Sequence, residues 1–328
     1  MWLAVASTVP SLASRRPRRI ALIGKRYALR RLIGRGGMGR VYEAWDRRER
    51  RMVALKMIHE SLANEPHVVH RFGNEVLALR SVDHPNVVAF LDTGLHFGAP
   101  FVVMELLKGP SLEAYVAEHG PLDVNTALRV FCRASEGLAA LHAAKIVHRD
   151  AKPSNLMLQL DDGGEPIGAT WSDLGLARVR ARKITAAGIA VGTGAYMAPE
   201  QVVGEDVGPR SDLYGLAISL FFALTGHLPF DTDARRSMLL QLTSTAPPLS
   251  WLLDDVDEAV ERIVATGLRK NPRHRYPTAR AMLQDMERAL GEREGPVSGT
   301  PTQGPDRFRP GSGRAWRVYA RACSELRV

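Results

Sequence analysis

Ile146-Val147-His148-Arg149-Asp150-Ala151-Lys152-Pro153-Ser154-Asn155 is the stretch whose reading decides the fold. An acid, two cationic side chains and an amide sit within one short loop between two apolar runs. Core packing does not explain that spacing, because buried charge is costly unless it is paired. Asp150, with Asn155 five residues later and Lys152 between them, offers a proton acceptor, a metal ligand and a phosphate contact on one rigid turn.

Upstream, the pattern becomes strand-like from Tyr27, and Gly34-Arg35-Gly36-Gly37-Met38-Gly39 forms a GxGxxG turn between Leu32-Ile33 and Val41-Tyr42-Glu43-Ala44-Trp45. A dinucleotide-binding turn of the same spacing opens a helix, whereas a second β-rich run follows here at once. An ordinary hairpin with a glycine turn is the other reading of this motif alone. Met52 to Ile58 is a strand whose only charge is Lys56, and a buried lysine needs a partner or a ligand. Residues 65 to 81 read as a helix with Val69, Phe72, Val76 and Leu79 on one face and Glu75 near it; Arg71 or Arg80 could instead occupy that glutamate. A strand starts at His84 to Val88, and another runs from Pro100 to Leu107 into the break Lys108-Gly109-Pro110.

Beyond that break the periodicity changes from about 2 to about 3.6. Leu112 to Glu118 is a short helix, and Asp123 to Ala144 a long one that buries Leu128, Phe131, Ala134, Leu138 and Leu141 and ends with a structural His142. After the loop come a short strand, Leu156-Met157-Leu158, and a solvated turn at Asp161-Asp162-Gly163-Gly164. Next are Trp171-Ser172-Asp173-Leu174-Gly175 and, at the end of a basic stretch, Ala198-Pro199-Glu200. Leu213 to Leu224 is too apolar all round for the surface, and Asp212 stands where it could cap that helix. Further helices are expected near 235–243, 255–267 and 277–290, with no internal repeat.

These segments, in this order over residues 27 to 290, resemble the motifs of the eukaryotic-type (Hanks-type) Ser/Thr protein kinases: the glycine loop, the strand lysine, the HRDxxxxN loop, DFG with leucine as its second residue, and APE. The wording around Gly36-Gly37-Met38-Gly39 and Ala151-Lys152-Pro153-Ser154-Asn155 is similar to the bacterial branch. The resemblance implies an α+β, two-lobed fold, with a β-rich N-lobe over 27–107 and a helical C-lobe over 108–290. It implies a non-specific serine/threonine protein kinase acting in signal transduction, whose partners are ATP and protein substrates.

The family's roles carry over by position. ATP would lie between the lobes with Gly34, Gly36 and Gly39 over its phosphates, Ile33, Val41, Ala54 and Met157 around the base, Met104 as gatekeeper, and Glu105 and Leu107 at the hinge. Lys56 would hold the α/β-phosphates, paired with Glu75. Asp150 would accept the substrate proton, Lys152 would steady the γ-phosphate, and Asn155 and Asp173 would hold Mg²⁺, with Mn²⁺ as an alternative. Leu174 would stack with Leu79, Phe90 and His148. Asp212 would hold the backbone of the catalytic loop, Arg275 would pair with Glu200, and Thr193 would open the substrate-binding turn. Thr185, the only hydroxyl residue between Gly175 and Thr193, would be autophosphorylated through a transient homodimer and bound by Arg149 and Arg178. Ala151 departs from the larger apolar residue usual there.

The chain has 328 residues, 45% hydrophobic and 24% charged, which is globular in character. Its net charge of +9 invites a nucleic-acid reading, but six charges come from residues 1–26 and three from 291–328. Residues 27–290 are therefore balanced, and no specific nucleic-acid partner is expected. The leader 1–26 and the Pro-, Gly- and Arg-rich tail 291–328 read as mostly disordered, with Trp316 to Val328 a candidate docking helix. Cys132 and Cys323 make no disulfide framework, no apolar run reaches the roughly 18 residues of a membrane span, and Met1 to Ser14 lacks the basic start of a secretory signal. A cytoplasmic setting fits. The alternatives are a pseudokinase scaffold, a small-molecule kinase and a nucleic-acid binder; filled catalytic positions oppose the first, and Glu200 with Arg275 opposes the second.

Overall fold

The computed structural model describes residues 21–36, 39–58, 79–174, 194–230 and 233–294. Six strands, β1 (Leu22–Ile23), β2 (Tyr27–Gly36), β3 (Gly39–Asp46), β4 (Arg51–Ile58), β5 (Phe90–His96) and β6 (Ala99–Glu105), form one antiparallel sheet in the order β1-β2-β3-β4-β6-β5. The centre of β4 is buried on both faces: Val53 and Leu55 pack with Ile23, Tyr27, Ala44, Phe101 and Val103, while Ala54 and Lys56 face the other way. β1 starts at Leu22, inside the stretch read as leader. The expected strand at 84–88 is reduced to a bridge between Val87 and Trp171, and pairing along the sheet starts at Phe90. Of the helix expected over 65–81, residues 65–78 lie outside the described residues.

The helical half contains α1 (Leu112–His119), α2 (Val124–Ala143), α3 (Pro199–Val203), α4 (Pro209–Thr225), α5 (Ala234–Thr243), α6 (Glu258–Gly267) and α7 (Ala279–Glu294). Side-chain oxygens begin five of them: Ser111 accepts from Ala114 N–H, Asp123 from Thr126 N–H, Asp233 from Arg236 N–H, Asp257 from Val260 N–H and Thr278 from Ala281 N–H. α4 is buried almost all round and ends at Gly226 in the left-handed region, φ 72°. Asp212 does not cap it. The helix starts earlier, at Gly208-Pro209, so Asp212 lies inside the first turn with its carboxylate directed elsewhere.

A two-stranded sheet, β7 (Leu156–Leu160) with β8 (Pro166–Trp171), packs on α2. Trp171 is fully buried and donates from Nε1 to the Ala134 carbonyl at 2.7 Å; a Cβ at Gly137 would lie 3.0 Å from its ring. The β7–β8 turn is a solvated Asp turn, with Asp161 Oδ1 accepting from Gly163 and Glu165 N–H. No helix among the described residues is long and apolar enough to cross a membrane.

Candidate active site

The loop from Ile146 to Asn155 is held from behind by α4. Asp212 accepts the His148 N–H at 2.8 Å, the Arg149 N–H at 2.7 Å and His142 Nε2 at 2.8 Å. These bonds hold Arg149 in the left-handed region, φ 64°, which is costly for a residue with a side chain. The His148 ring is fully buried edge-on to Trp171, and burial pushes its pKa down, against the pull of Asp212 and Asp150. The neutral ring accepts the Asp150 N–H at Nδ1, 3.3 Å away. Ala151 backs onto Gly215 of α4, where an added Cβ would lie 2.3 Å from the Ala151 carbonyl.

In front of this support, Lys152 Nζ lies 3.0 Å from Asp150 Oδ2. Asn155 donates from Nδ2 to the Asp150 carbonyl at 2.9 Å and to Asp150 Oδ2 at 3.1 Å, so its Oδ1 is the group left for an oxygen-seeking cation. The Asn155 carbonyl accepts Ser172 N–H and Oγ, which ties this loop to the residue before Asp173. Asp173 is itself in the left-handed region, φ 49°, and its carboxylate meets Lys56 Nζ directly across the two lobes. A hard carboxylate and an amide oxygen suit Mg²⁺, which completes its shell with phosphate and water.

Beside the Lys56–Asp173 contact is a slot lined by Leu79, Phe90, Val102, Met104 and Leu174. It brings Leu79, Phe90 and Leu174 together, and His148 belongs to the same buried neighbourhood. Met104 pairs with Ala54 across β4 and β6. Ala54 is buried, Val41, Met157 and Leu107 are half-buried, and Ile33 and Glu105 are exposed. Gly34 pairs with Val41 and Gly36 with Gly39 at the end of the β2–β3 hairpin. Gly39 is required by the sheet itself: its φ is 153°, and a Cβ would lie 1.9 Å from the Met57 carbonyl. At the hinge glycine, Gly109, an added Cβ would likewise lie 1.8 Å from the Leu158 carbonyl oxygen.

Glu200 and Arg275 form a buried bidentate pair at 2.7 and 2.8 Å. Arg275 also donates to the carbonyls of Arg269, Arg210 and Lys270, which satisfies all five donors, and Ser211 Oγ donates to Glu200 at 2.6 Å. Burial alone would raise the Glu200 carboxyl, but the bonds from Arg275 and Ser211 hold it below its ordinary value. Glu75, Thr185, Arg178 and Thr193 lie outside the described residues. Two glutamines that no motif singled out are also built in. Gln201 bridges Ala198 N–H and the Arg149 carbonyl, and the fully buried Gln241 donates to the Ala195 carbonyl at 2.8 Å while accepting from Tyr214 Oη.

This arrangement of β-sheet, hinge and helical lobe around one cleft coincides with a family match: the model of the protein kinase domain covers residues 27–286. The chain belongs to the protein kinase family. The kinase is 37% identical over 276 residues to the serine/threonine-protein kinase PknL of Mycobacterium tuberculosis, spanning 84% of this chain and 68% of PknL. It is 36% identical over 275 residues to the serine/threonine-protein kinase PrkC of Bacillus subtilis, spanning 82% of this chain and 42% of PrkC. The crystal structure of the Mycobacterium tuberculosis PknI kinase domain superposes with a TM-score of 0.65 at 23% identity, covering 82% of this kinase and 98% of that chain. Rad53 in complex with AMP-PNP superposes with a TM-score of 0.66 at 24% identity, covering 80% and 65%. The resemblance to bacterial Hanks-type kinases and the two-lobed α+β fold expected from it both hold.

Proposed function

We propose that this site transfers the γ-phosphoryl group of ATP to serine and threonine hydroxyls of protein substrates, in signalling. Phosphoryl transfer needs little covalent help from the protein, only positioning and neutralisation of charge. The Asp150 carboxylate accepts the proton of the attacking hydroxyl and aims its oxygen in line with the γ-phosphorus. Lys152, already 3.0 Å from Asp150, steadies the γ-phosphate as negative charge shifts. Lys56 leaves Asp173 for the α/β-phosphates when nucleotide enters, and Glu75 takes over as its partner. Asp173 and the Asn155 Oδ1 would hold Mg²⁺, or Mn²⁺ in its place, which would supply neutralisation of phosphate charge.

The observation that carries this reading is the convergence of Lys152 and Asn155 on Asp150, on a loop whose backbone is bonded to Asp212. The adenine is received by Ile33, Val41, Ala54, Met104, Glu105, Leu107 and Met157, and the phosphates by Gly34, Gly36 and Gly39. Thr185 is the autophosphorylation site, reached in a transient homodimer and then bound by Arg149 and Arg178, while Thr193 meets the substrate. The setting is the reducing cytoplasm; Cys132 is a buried thiol that burial pushes up to about 12, so it is inert there.

The test is transfer of labelled phosphate from ATP to a generic acceptor protein, followed by phosphoamino-acid analysis and phosphopeptide mapping of the kinase. Label on serine and threonine, and on Thr185 of the active kinase, is expected. Label confined to tyrosine, or none at all, would remove the reading.

A further inference from the structure

We infer that Gln201 is a positioning residue for the catalytic loop, an assignment that rests on Asp150 being the proton acceptor. Its side-chain amide joins two distant pieces of chain: Oε1 accepts the Ala198 N–H at 2.9 Å, and Nε2 donates to the Arg149 carbonyl at 3.0 Å. The two contacts fix the orientation of the amide, since a main-chain N–H needs an acceptor and a carbonyl needs a donor.

Arg149 is the residue of the loop with the unfavourable φ of 64°. Asp212 holds its N–H at 2.7 Å, and Gln201 holds its carbonyl at 3.0 Å. That carbonyl belongs to the peptide unit carrying the Asp150 N–H, which in turn meets His148 Nδ1. Gln201 therefore sets the plane of the peptide from which the Asp150 side chain departs. Its neighbour Glu200 is engaged by Arg275 and Ser211, so the segment Ala198-Pro199-Glu200 reaches the Arg149 carbonyl through Gln201. The coupling links the conformation of that segment to the aim of Asp150.

Gln201→Glu keeps the length of the side chain and the acceptor for Ala198, but its ionised carboxylate has no donor for the Arg149 carbonyl, whereas the protonated acid regains one. The ionisable groups facing the position are Arg149 and Asp150 of the loop, Tyr196 of the segment before α3, Asp212 of α4 and the adjacent Glu200, so wild type measured at each pH is the reference. At pH 8 we expect kcat about tenfold below wild type, with the KM for ATP and the melting temperature little changed. Towards pH 5.5 the deficit should begin to narrow, and near pH 4.3, where an ordinary glutamate is about half protonated, it should be about twofold. Gln201→Met, lacking both groups, should show a similar deficit that does not vary with pH. A deficit for Gln201→Glu that is flat with pH, or wild-type kcat in Gln201→Met, would overturn the assignment while Asp150→Asn stays inactive. If Gln201→Glu does not fold, the kcat of Gln201→Met decides alone. If Asp150→Asn transfers at the wild-type rate, the assignment falls together with the proton-acceptor role beneath it.

Discussion

Asp212 and Arg149 are 63 residues apart in sequence, yet Asp212 Oδ1 accepts the Arg149 N–H at 2.7 Å and so holds open the backbone conformation that precedes Asp150. Removing the carboxylate leaves two main-chain N–H groups and His142 without their acceptor in a buried place. Asp212→Ala should cost about 2–4 kcal/mol of stability and lower kcat about 10- to 100-fold, with the ATP KM less affected. Urea denaturation and steady-state kinetics check both.

Gly215 and Ala151 explain a departure from the family pattern. The loop and α4 approach so closely that a methyl group at 215 would lie 2.3 Å from a backbone carbonyl, and the small Ala151 fits that contact. Gly215→Ala should destabilise by about 1–3 kcal/mol and reduce turnover, since relief requires the catalytic loop itself to move. A neutral effect in thermal denaturation and kinetics would contradict this.

The local chemistry of the site was legible in the sequence because its residue types are tied to short spacings: Asp150, Lys152 and Asn155 within one turn, Lys56 in an apolar strand, the glycines between two strands. What escaped depends on contacts far apart in sequence. Gln201 reads as an ordinary helix residue, and only the folded loop 52 positions earlier makes its amide a bridge. Asp212 resembles a cap until Gly208-Pro209 is seen to start the helix one turn earlier, a signal present in the Pro at the first helical position. Gly39 was expected to serve phosphate approach, yet the closeness of Met57 in β4 already demands it.

Arg275 and Glu200 form a pair whose partial removal is far worse than its absence. Arg275→Met leaves a buried carboxylate without its cationic partner, and should cost about 3–5 kcal/mol. Because the folded state holds the Glu200 pKa below its unfolded value, the pair's stability is present above the ordinary glutamate range and lost as pH falls through the lower folded value. The acid arm of the stability profile should flatten in Arg275→Met, as measured by denaturation from pH 3 to 7.

Lys270 gives a slope of the same sign in a more alkaline window. Burial, then the nearby Arg275, lower its pKa to about 7, while the rings of Phe230 (4.1 Å) and Tyr214 (5.8 Å) offset part of the cost. Between pH 7 and the ordinary lysine range the unfolded chain holds the extra proton, so this group's contribution rises with pH across that window and is least favourable below it. Lys270→Met should gain about 1–2 kcal/mol at pH 6, after screening by the water that reaches this half-buried side chain, and lose the advantage by pH 10. Denaturation at the two pH values checks the sign.

The most direct measurement is the initial rate of labelled γ-phosphate transfer from ATP to an acceptor protein by wild type and by Asp150→Asn, each confirmed folded by its melting curve. The variant keeps the shape of the loop but loses the proton acceptor, and its rate should fall by at least about 100-fold, within the range general-base catalysis contributes. Equal transfer by the two proteins, or none by wild type, would contradict the account.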